Sequence, residues 1–177
     1  MIDGTRLNAT AGISEPDGHV VEYRKTLLPE LRATIKTIRV VERTMKVEGN
    51  CHCGAIAYEA IVDPQKAGLC HCTDCQTLSG APFRASVPAL ADDFRILRGQ
   101  PKLYIKTAAS GTQRAQAFCA DCGTPIYAAA ADNPTQFNLR LGAIVQRAQI
   151  PALKQSWCSS ALAWAQNIAN LPESPQR

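Results

Sequence analysis

The sequence predicts an all-β fold, and three observations support that prediction. Apolar and polar residues alternate over short stretches, which is the pattern of half-buried strands. Turn-forming residues separate these stretches, at intervals of about 10–20 residues. Eight cysteines occur in a chain of 177 residues, although a core of this size needs no cross-links. The chain is 46% hydrophobic and 19% charged, so it is long and apolar enough for one globular domain.

Four stretches carry the alternation most clearly. Their apolar positions are Ile56, Tyr58, Ala60 and Val62 in the first, Phe83, Ala85 and Val87 in the second, Leu103 and Ile105 in the third, and Phe137, Leu139 and Leu141 in the fourth. The turn signals between strands are Asp63-Pro64, Gly99-Gln100-Pro101, Ser110-Gly111 and Asp132-Asn133-Pro134. Beyond them, the Ala-rich stretch from Ser159 to Asn170 predicts a short C-terminal helical tail.

Residues 1–44 differ from the rest of the chain. They begin with polar, turn-rich sequence and contain no cysteine. Apolar residues at helical spacing then predict a helix in this N-terminal extension: Leu27, Leu28, Leu31, Ile35 and Ile38. Met45 is a candidate start, and in that case residues 1–44 lie outside the native protein. We therefore divide the chain into an extension (1–44), a domain (45–172) and a tail (173–177).

Seven of the eight cysteines fall in three tight clusters. These are Cys51 and Cys53, then Cys70, Cys72 and Cys75, then Cys119 and Cys122, with Cys158 alone. Such short spacings suit tetrahedral zinc, because two thiolates of one turn can converge on one ion. They suit disulfides poorly, since a C-x-C pair reaches disulfide geometry only with strain. The N-terminus shows no apolar segment after basic residues, so we expect a cytoplasmic, reducing location, where metal ligation is favoured.

Seven thiolates exceed one tetrahedral site. One closed site could join Cys51 and Cys53 to Cys119 and Cys122, which would leave Cys70, Cys72 and Cys75 as three ligands with a fourth position open. Spacing alone leaves this partition undecided.

The flanks of the clusters carry a resemblance that extends over residues 46–172. Cys51-His-Cys-Gly-Ala-Ile-Ala-Tyr-Glu, Cys70-His-Cys-Thr-Asp-Cys-Gln-Thr-Leu-Ser-Gly-Ala and Phe118-Cys-Ala-Asp-Cys-Gly-Thr-Pro-Ile-Tyr are similar to the glutathione-dependent formaldehyde-activating (Gfa/CENP-V) family. So are Phe94-Arg-Ile-Leu-Arg-Gly-Gln-Pro and the tail residues Pro151, Trp157, Trp164 and Leu171-Pro172. One departure is Gln116, where family members often carry a basic residue.

The resemblance implies an Mss4-like zinc-binding β-sandwich with two zinc ions per chain. It implies that Cys51, Cys53, Cys119 and Cys122 hold a structural zinc. It also implies that Cys70, Cys72 and Cys75 hold a second zinc with an open side, where catalysis takes place. The activity implied is that of a carbon–sulfur lyase, which joins a small-molecule thiol such as glutathione to formaldehyde as S-hydroxymethylglutathione.

Other functions of the cysteine clusters are alternatives to a lyase. The main alternative is a non-catalytic, zinc-stabilised binding module. A nucleic-acid-binding zinc ribbon is disfavoured, because aromatic residues make up only 6% of the chain and the net charge of +4 is dispersed. A thiol–disulfide oxidoreductase would place its C-x-x-C at the start of a helix, whereas Gly123 and Pro125 indicate a turn there. The signature of zinc deaminases is missing. No membrane partner is expected, and the oligomeric state is open.

Some residues outside the clusters also carry expectations. Arg84, Arg114 and Arg140 are candidates for binding the carboxylates of glutathione, with solvated strand positions as the alternative. His52 and His71 each lie between two cysteines, where alternation points the middle side chain away from a shared metal, so neither is expected to be a ligand. Cys158 is expected to be a buried free thiol.

Overall fold

The computed structural model describes residues 43–175, and the helix predicted in the N-terminal extension lies outside them. Ten strands and one α-helix follow in chain order. They are β1 (Met45–Asn50), β2 (Ala57–Val62), β3 (Gly68–Cys70), α1 (Thr73–Ser79), β4 (Arg84–Leu90), β5 (Phe94–Arg98), β6 (Lys102–Thr107), β7 (Gln113–Phe118), β8 (Pro125–Ala130), β9 (Gln136–Arg140) and β10 (Lys154–Ser156). The prediction of an all-β fold is confirmed.

The strands form two sheets of unequal width. The smaller sheet has the order β1-β2-β5, and the larger has the order β10-β3-β4-β9-β8-β7-β6. All pairings are antiparallel except that of β10 with β3. Within residues 43–175, no helix is long and apolar enough to cross a bilayer.

The core lies between the two sheets. The smaller sheet contributes fully buried side chains such as Val47, Tyr58 and Val62, and the larger contributes Val87 and Leu139. The alternation predicted for β2 is confirmed, because Tyr58, Ala60 and Val62 are buried while Ile61 is exposed.

An aromatic cluster joins the two sheets and packs against this core. Phe94 of the smaller sheet lies 5.6 Å from Tyr58, 5.4 Å from Tyr127 and 4.7 Å from Phe137, measured between ring centroids. Tyr127 and Phe137, both on the larger sheet, meet at right angles with centroids 4.9 Å apart. Such tilted and edge-to-face pairs add to the free energy of burial.

The β6 and tail predictions are corrected by the structure. Leu103 and Ile105 were expected to face a core but are about half exposed, because β6 is the outermost strand of the wide sheet and pairs only with β7.

The C-terminal segment forms short 3₁₀ turns at Cys158–Ser160, Ala163–Gln166 and Ile168–Asn170 rather than an α-helix. Alanine favours helical backbone, but Trp157, Trp164 and Ile168 of this segment remain exposed, so no amphipathic face packs against the domain.

We predict that Gly49→Ala lowers the free energy of unfolding by about 3 kcal/mol, the range of an overpacked core. Gly49 of β1 lies directly opposite Tyr58 of β2, and a Cβ there would overlap the Tyr58 ring. Urea denaturation at fixed free zinc would measure the loss. Gly142→Ala is the matched control, because no atom lies within 4 Å of its added Cβ. A Gly49→Ala protein as stable as this control would contradict the prediction.

Candidate metal centre

Two turns of similar hydrogen bonding present the first group of cysteines. In one, the Gly54 N–H donates to the Cys51 carbonyl (3.1 Å), and in the other the Gly123 N–H donates to the Cys119 carbonyl (2.9 Å). Gly54 and Gly123 have φ angles of 77° and 73°, which glycine adopts without the steric cost of a Cβ. Each turn thereby directs the sulfur atoms of its two cysteines towards the same side of the turn.

The two turns bring four sulfurs together across 66 residues of chain. The ligand atoms of Cys51, Cys53, Cys119 and Cys122 all lie within 4.8 Å of one another. The Cys51 and Cys53 sulfurs are 3.4 Å apart, and the Cys53 and Cys119 sulfurs are 3.7 Å apart. These distances exclude disulfides, which need ~2.05 Å, and lie near the ~3.8 Å edge of a ZnS₄ tetrahedron with ~2.3 Å bonds.

The protonation of this group also fits a cation. The backbone N–H of Ala55 lowers the pKa of Cys53, but the neighbouring Cys51 and Cys122 thiols outweigh it and raise that pKa to about 12. Four adjacent thiolates repel one another, so they cannot all ionise unless a cation lies among them. The donor set therefore fits one tetrahedral metal ion at the border of the fold, since Cys51 and Cys119 are buried whereas Cys53 is exposed.

Thr124 links the two turns through its hydroxyl group. The oxygen accepts a hydrogen bond from the His52 N–H (3.0 Å) and lies 3.1 Å from the Cys122 sulfur. Since the oxygen already accepts from His52, its proton is free to be donated to the sulfur. This hydroxyl, followed by the Thr124 and Cys53 backbone N–H groups, lowers the pKa of Cys122 to about 5. The thiolate form needed for metal binding is thus favoured.

We predict that Thr124→Val weakens metal binding by about 10- to 100-fold, the usual effect of losing a hydrogen bond to a ligand. A thiolate with a lowered pKa holds metal above that pKa and releases it as the pH falls through it. Because the variant raises the pKa of Cys122, its metal release should begin at a higher pH. A chromogenic chelator read during acid titration would measure this. Thr112→Val, in the exposed β6–β7 turn, is the control and should release metal as the native protein does.

Strand β3 and helix α1 present the second group of cysteines. Cys70 ends β3, and Cys72 caps α1, with its sulfur accepting from the Cys75 N–H at 3.4 Å. The three ligand atoms of Cys70, Cys72 and Cys75 lie within 4.8 Å of one another, and the three residues are partly exposed. Burial, followed by the Cys70 thiol, raises the pKa of Cys75 to about 12, while the charge of Arg84 opposes the rise. This donor set also fits a cation, with three ligands rather than four.

The structure thus brings together the four and the three cysteines that the sequence predicts, and all eight cysteines are free thiols. Neither histidine belongs to a donor group: His52 is exposed, and the buried His71 ring bonds the Gln155 amide oxygen at 2.8 Å. Cys158 is exposed, so the prediction that it is buried is wrong. The residue after Trp157 lies in a surface 3₁₀ turn, which the sequence pattern did not reveal.

A cavity of about 420 Å³ lies on the face of the larger sheet that carries Arg84 and Arg140, and no cysteine lines it. Arg84, the strand partner of Cys70, and Leu78 of α1 connect its wall to the second group of cysteines, and Gly123 and Pro125 connect it to the first. Arg84 and Arg140 both line it and are buried, whereas Arg114 is only partly buried and does not line it. Solvated strand positions are therefore excluded for Arg84 and Arg140. The sequence identified Gln116 only as a departure from the family pattern, and its contacts with both arginines were not predicted.

This chain is similar to known proteins in sequence and in structure. Residues 46–160 match the model of a protein family described as glutathione-dependent formaldehyde-activating enzyme. An uncharacterized lyase of Schizosaccharomyces pombe is 31% identical over 84 residues, which cover 45% of this chain and 55% of the relative. This chain therefore matches about half the length of that curated relative. A crystal structure of a Rhodobacter sphaeroides protein aligns with 62% of this chain and 99% of its own, at 22% identity and a TM-score of 0.49.

Proposed function

Because this chain belongs to the glutathione-dependent formaldehyde-activating enzyme family, we propose that it is a zinc-dependent carbon–sulfur lyase acting on a thiol adduct. The adduct we favour is S-hydroxymethylglutathione, formed from glutathione and formaldehyde. The proposal includes two zinc ions per chain and a reducing, cytoplasmic setting, in keeping with eight free thiols.

The observation that carries the proposal is the unequal pair of cysteine groups. Four donors close a tetrahedral site and leave no position for a substrate, as in structural zinc sites. The three donors Cys70, Cys72 and Cys75 leave one position, and Arg84, the strand partner of Cys70, lines a cavity. A group with three donors differs from the closed four-donor sites that stabilise folds, which favours substrate binding at the second group.

The chain's own residues then supply positioning and charge. Zinc bound by the second group would hold a substrate thiol in its thiolate form, since metal coordination lowers the pKa of a thiol. The cysteines of β3 and α1 orient this position, and the cavity walls keep the thiol and the aldehyde together, which raises their effective concentration. In the forward reaction the substrate sulfur bonds to the formaldehyde carbon. The carbonyl π bond opens, and the proton lost from the thiol ends on the new hydroxyl oxygen. The lyase direction reverses these changes.

The proposal predicts that Cys75→Ser abolishes catalysed exchange. Exchange NMR would measure the interconversion of free formaldehyde and the hydroxymethyl group of S-hydroxymethylglutathione. The native protein should exceed the rate in protein-free solution, and the variant should return to that rate. Cys158→Ser is the matched control, because it removes an exposed thiol that lies outside both groups. Equal rates for native protein and Cys75→Ser would refute catalysis and favour the non-catalytic binding module.

A further inference from the structure

Two buried arginines meet on the cavity side of the larger sheet. Arg84 is 7% exposed and Arg140 is 8% exposed. Arg84 Nη1 donates to the Gln116 amide oxygen at 3.1 Å, and Arg140 Nη2 donates to the same oxygen at 2.9 Å. The Arg84 Nε–H is buried and has no hydrogen-bond partner in the part of the chain that the structure describes. Among residues 43–175, no carboxylate oxygen lies within 4.0 Å of either guanidinium group.

The register of the strands places this cluster on the same face as the second cysteine group. Cys70 pairs with Arg84, and Ser86, two residues further along β4, pairs with Arg140. Gln116 of β7 pairs with Ala128, which pairs with Asn138, two residues before Arg140. Directly paired residues, and residues two apart on one strand, share a face. The arginines and the Cys70 thiol therefore face the same side of the sheet.

The charges on this face do not balance. Burying a guanidinium is costly unless an anion neutralises it, and the amide of Gln116 is neutral. Burial, followed by the charge of Arg84, lowers the pKa of Arg140 to about 9, while the thiols of Cys75 and Cys70 oppose this effect. Three thiolates around a divalent ion carry a net charge of −1, which offsets only one of the two arginines. Without substrate one further negative charge is needed, and an anionic substrate would supply it.

We propose that Arg84 and Arg140, held together by Gln116, form a subsite for the carboxylate of the substrate thiol. The guanidinium groups offer paired donors of the kind that recognise carboxylates, and the unpartnered Arg84 Nε–H is one such donor. A carboxylate bound there leaves the rest of the substrate in the cavity and its sulfur directed towards the second cysteine group. The inference deepens the proposed function and rests on it. It assigns recognition of the substrate carboxylate to Arg84, Arg140 and Gln116.

The test compares two thioethers that differ in their carboxylates. S-Methylglutathione keeps both carboxylates, its dimethyl ester has neither, and both have a blocked sulfur. Calorimetric titration of the metal-loaded native protein should show the free acid bound at least about tenfold more tightly than the ester. In Arg140→Gln the two affinities should become equal. Arg95→Gln is the charge-matched control, because Arg95 is exposed on the smaller sheet, where it pairs with Glu59.

Gln116→Glu separates recognition from a purely structural role. The new carboxylate would lie between the two guanidinium groups and occupy the subsite, while giving both arginines an ion-pair partner. We expect the preference for the free acid to disappear, with a melting temperature equal to or above that of the native protein. An unchanged preference in a folded Gln116→Glu protein would mean that the arginines serve the fold alone, and would overturn the proposal.

The remaining outcomes separate this inference from the proposed function. If the protein catalyses hydroxymethyl exchange but binds the acid and the ester equally, or binds neither, the proposed subsite is wrong and the proposed lyase activity is retained. An arginine-dependent preference for the acid without catalysed exchange would support the subsite and refute the lyase. Inorganic phosphate, titrated alone, should bind more weakly than S-methylglutathione. If it bound as tightly, the ligand would be a free anion and the subsite would not recognise the thiol.

Discussion

Cys119→Ser is expected to leave the chain unable to hold its native fold. Cys119 is 1% exposed, and its sulfur belongs to the four-cysteine group that joins two turns far apart in the sequence. A structural zinc contributes ~10–16 kcal/mol of apparent binding free energy, whereas a whole domain is stable by only ~5–15 kcal/mol. Loss of one ligand from this four-ligand site should therefore remove most of the net stability.

Circular dichroism, NMR peak dispersion and metal content would measure this effect in parallel. The variant should lose dispersed resonances and the metal of the first group together. Cys158→Ser removes one thiol without touching either group and should match the native protein in all three measurements. A dispersed spectrum from Cys119→Ser, with the full metal content retained, would show that the four cysteines do not hold a structural metal.

Cys70→Ser is expected to have the opposite pattern: one metal ion lost, the fold kept. The second cysteine group is only partly buried and lies outside the apolar core. The strand β3 that carries Cys70 stays paired with β4 and β10 through its backbone. A site with two remaining thiolates should bind zinc weakly, since structural and catalytic sites use at least three protein ligands.

Elemental analysis should find about two zinc ions per native chain and about one per Cys70→Ser chain. The melting temperature of the variant should stay within a few degrees of the native value. Adding glutathione should protect the second ion of the native protein from a chelator and should have no such effect in the variant. One zinc ion per native chain, or loss of both from Cys70→Ser, would contradict two independent sites.

The three cysteine clusters were predictable because thiol spacing is a local property, whereas the division into four and three followed from the family resemblance, since it joins turns 66 residues apart. Strand β2 was predictable for a similar reason, since Tyr58, Ala60 and Val62 alternate with less buried residues. Strand β7 was not predicted from the sequence, because its buried positions, Ala115 and Ala117, are small residues with weak strand preference. The three-residue strands β3 and β10 are too short to show a period, and their pairing depends on residues more than 80 positions apart.

The burial and the contacts of the arginine cluster, Arg84 and Arg140, could not be predicted from the sequence. Arg84 and Arg140 occupy the polar positions of alternating strands, which is also where solvated side chains occur. Their burial depends on α1, β6 and β7 closing around the cavity, and on Gln116 reaching both guanidinium groups. These contacts are long-range, so no window of sequence contains them. The same limit explains Leu103 and Ile105, whose exposure follows from the edge position of β6 rather than from their pattern.

The two faces of strand β4 are under different evolutionary constraints, because its odd-numbered residues pack in the core and its even-numbered residues lie on the cavity side. Val87 and Ala89 are buried in the apolar core, whereas Arg84 lines the cavity and Ser86 lies on the same face of the sheet. Selectivity for a new thiol could therefore diverge by changes on one side of the sheet while the packing on the other side is left alone. A library that varies only Arg84, Gln116 and Arg140 should retain many folded members and redistribute their ligand preferences. Insertion of a single residue within β4 would exchange its two faces, and we therefore expect natural selection to remove such insertions.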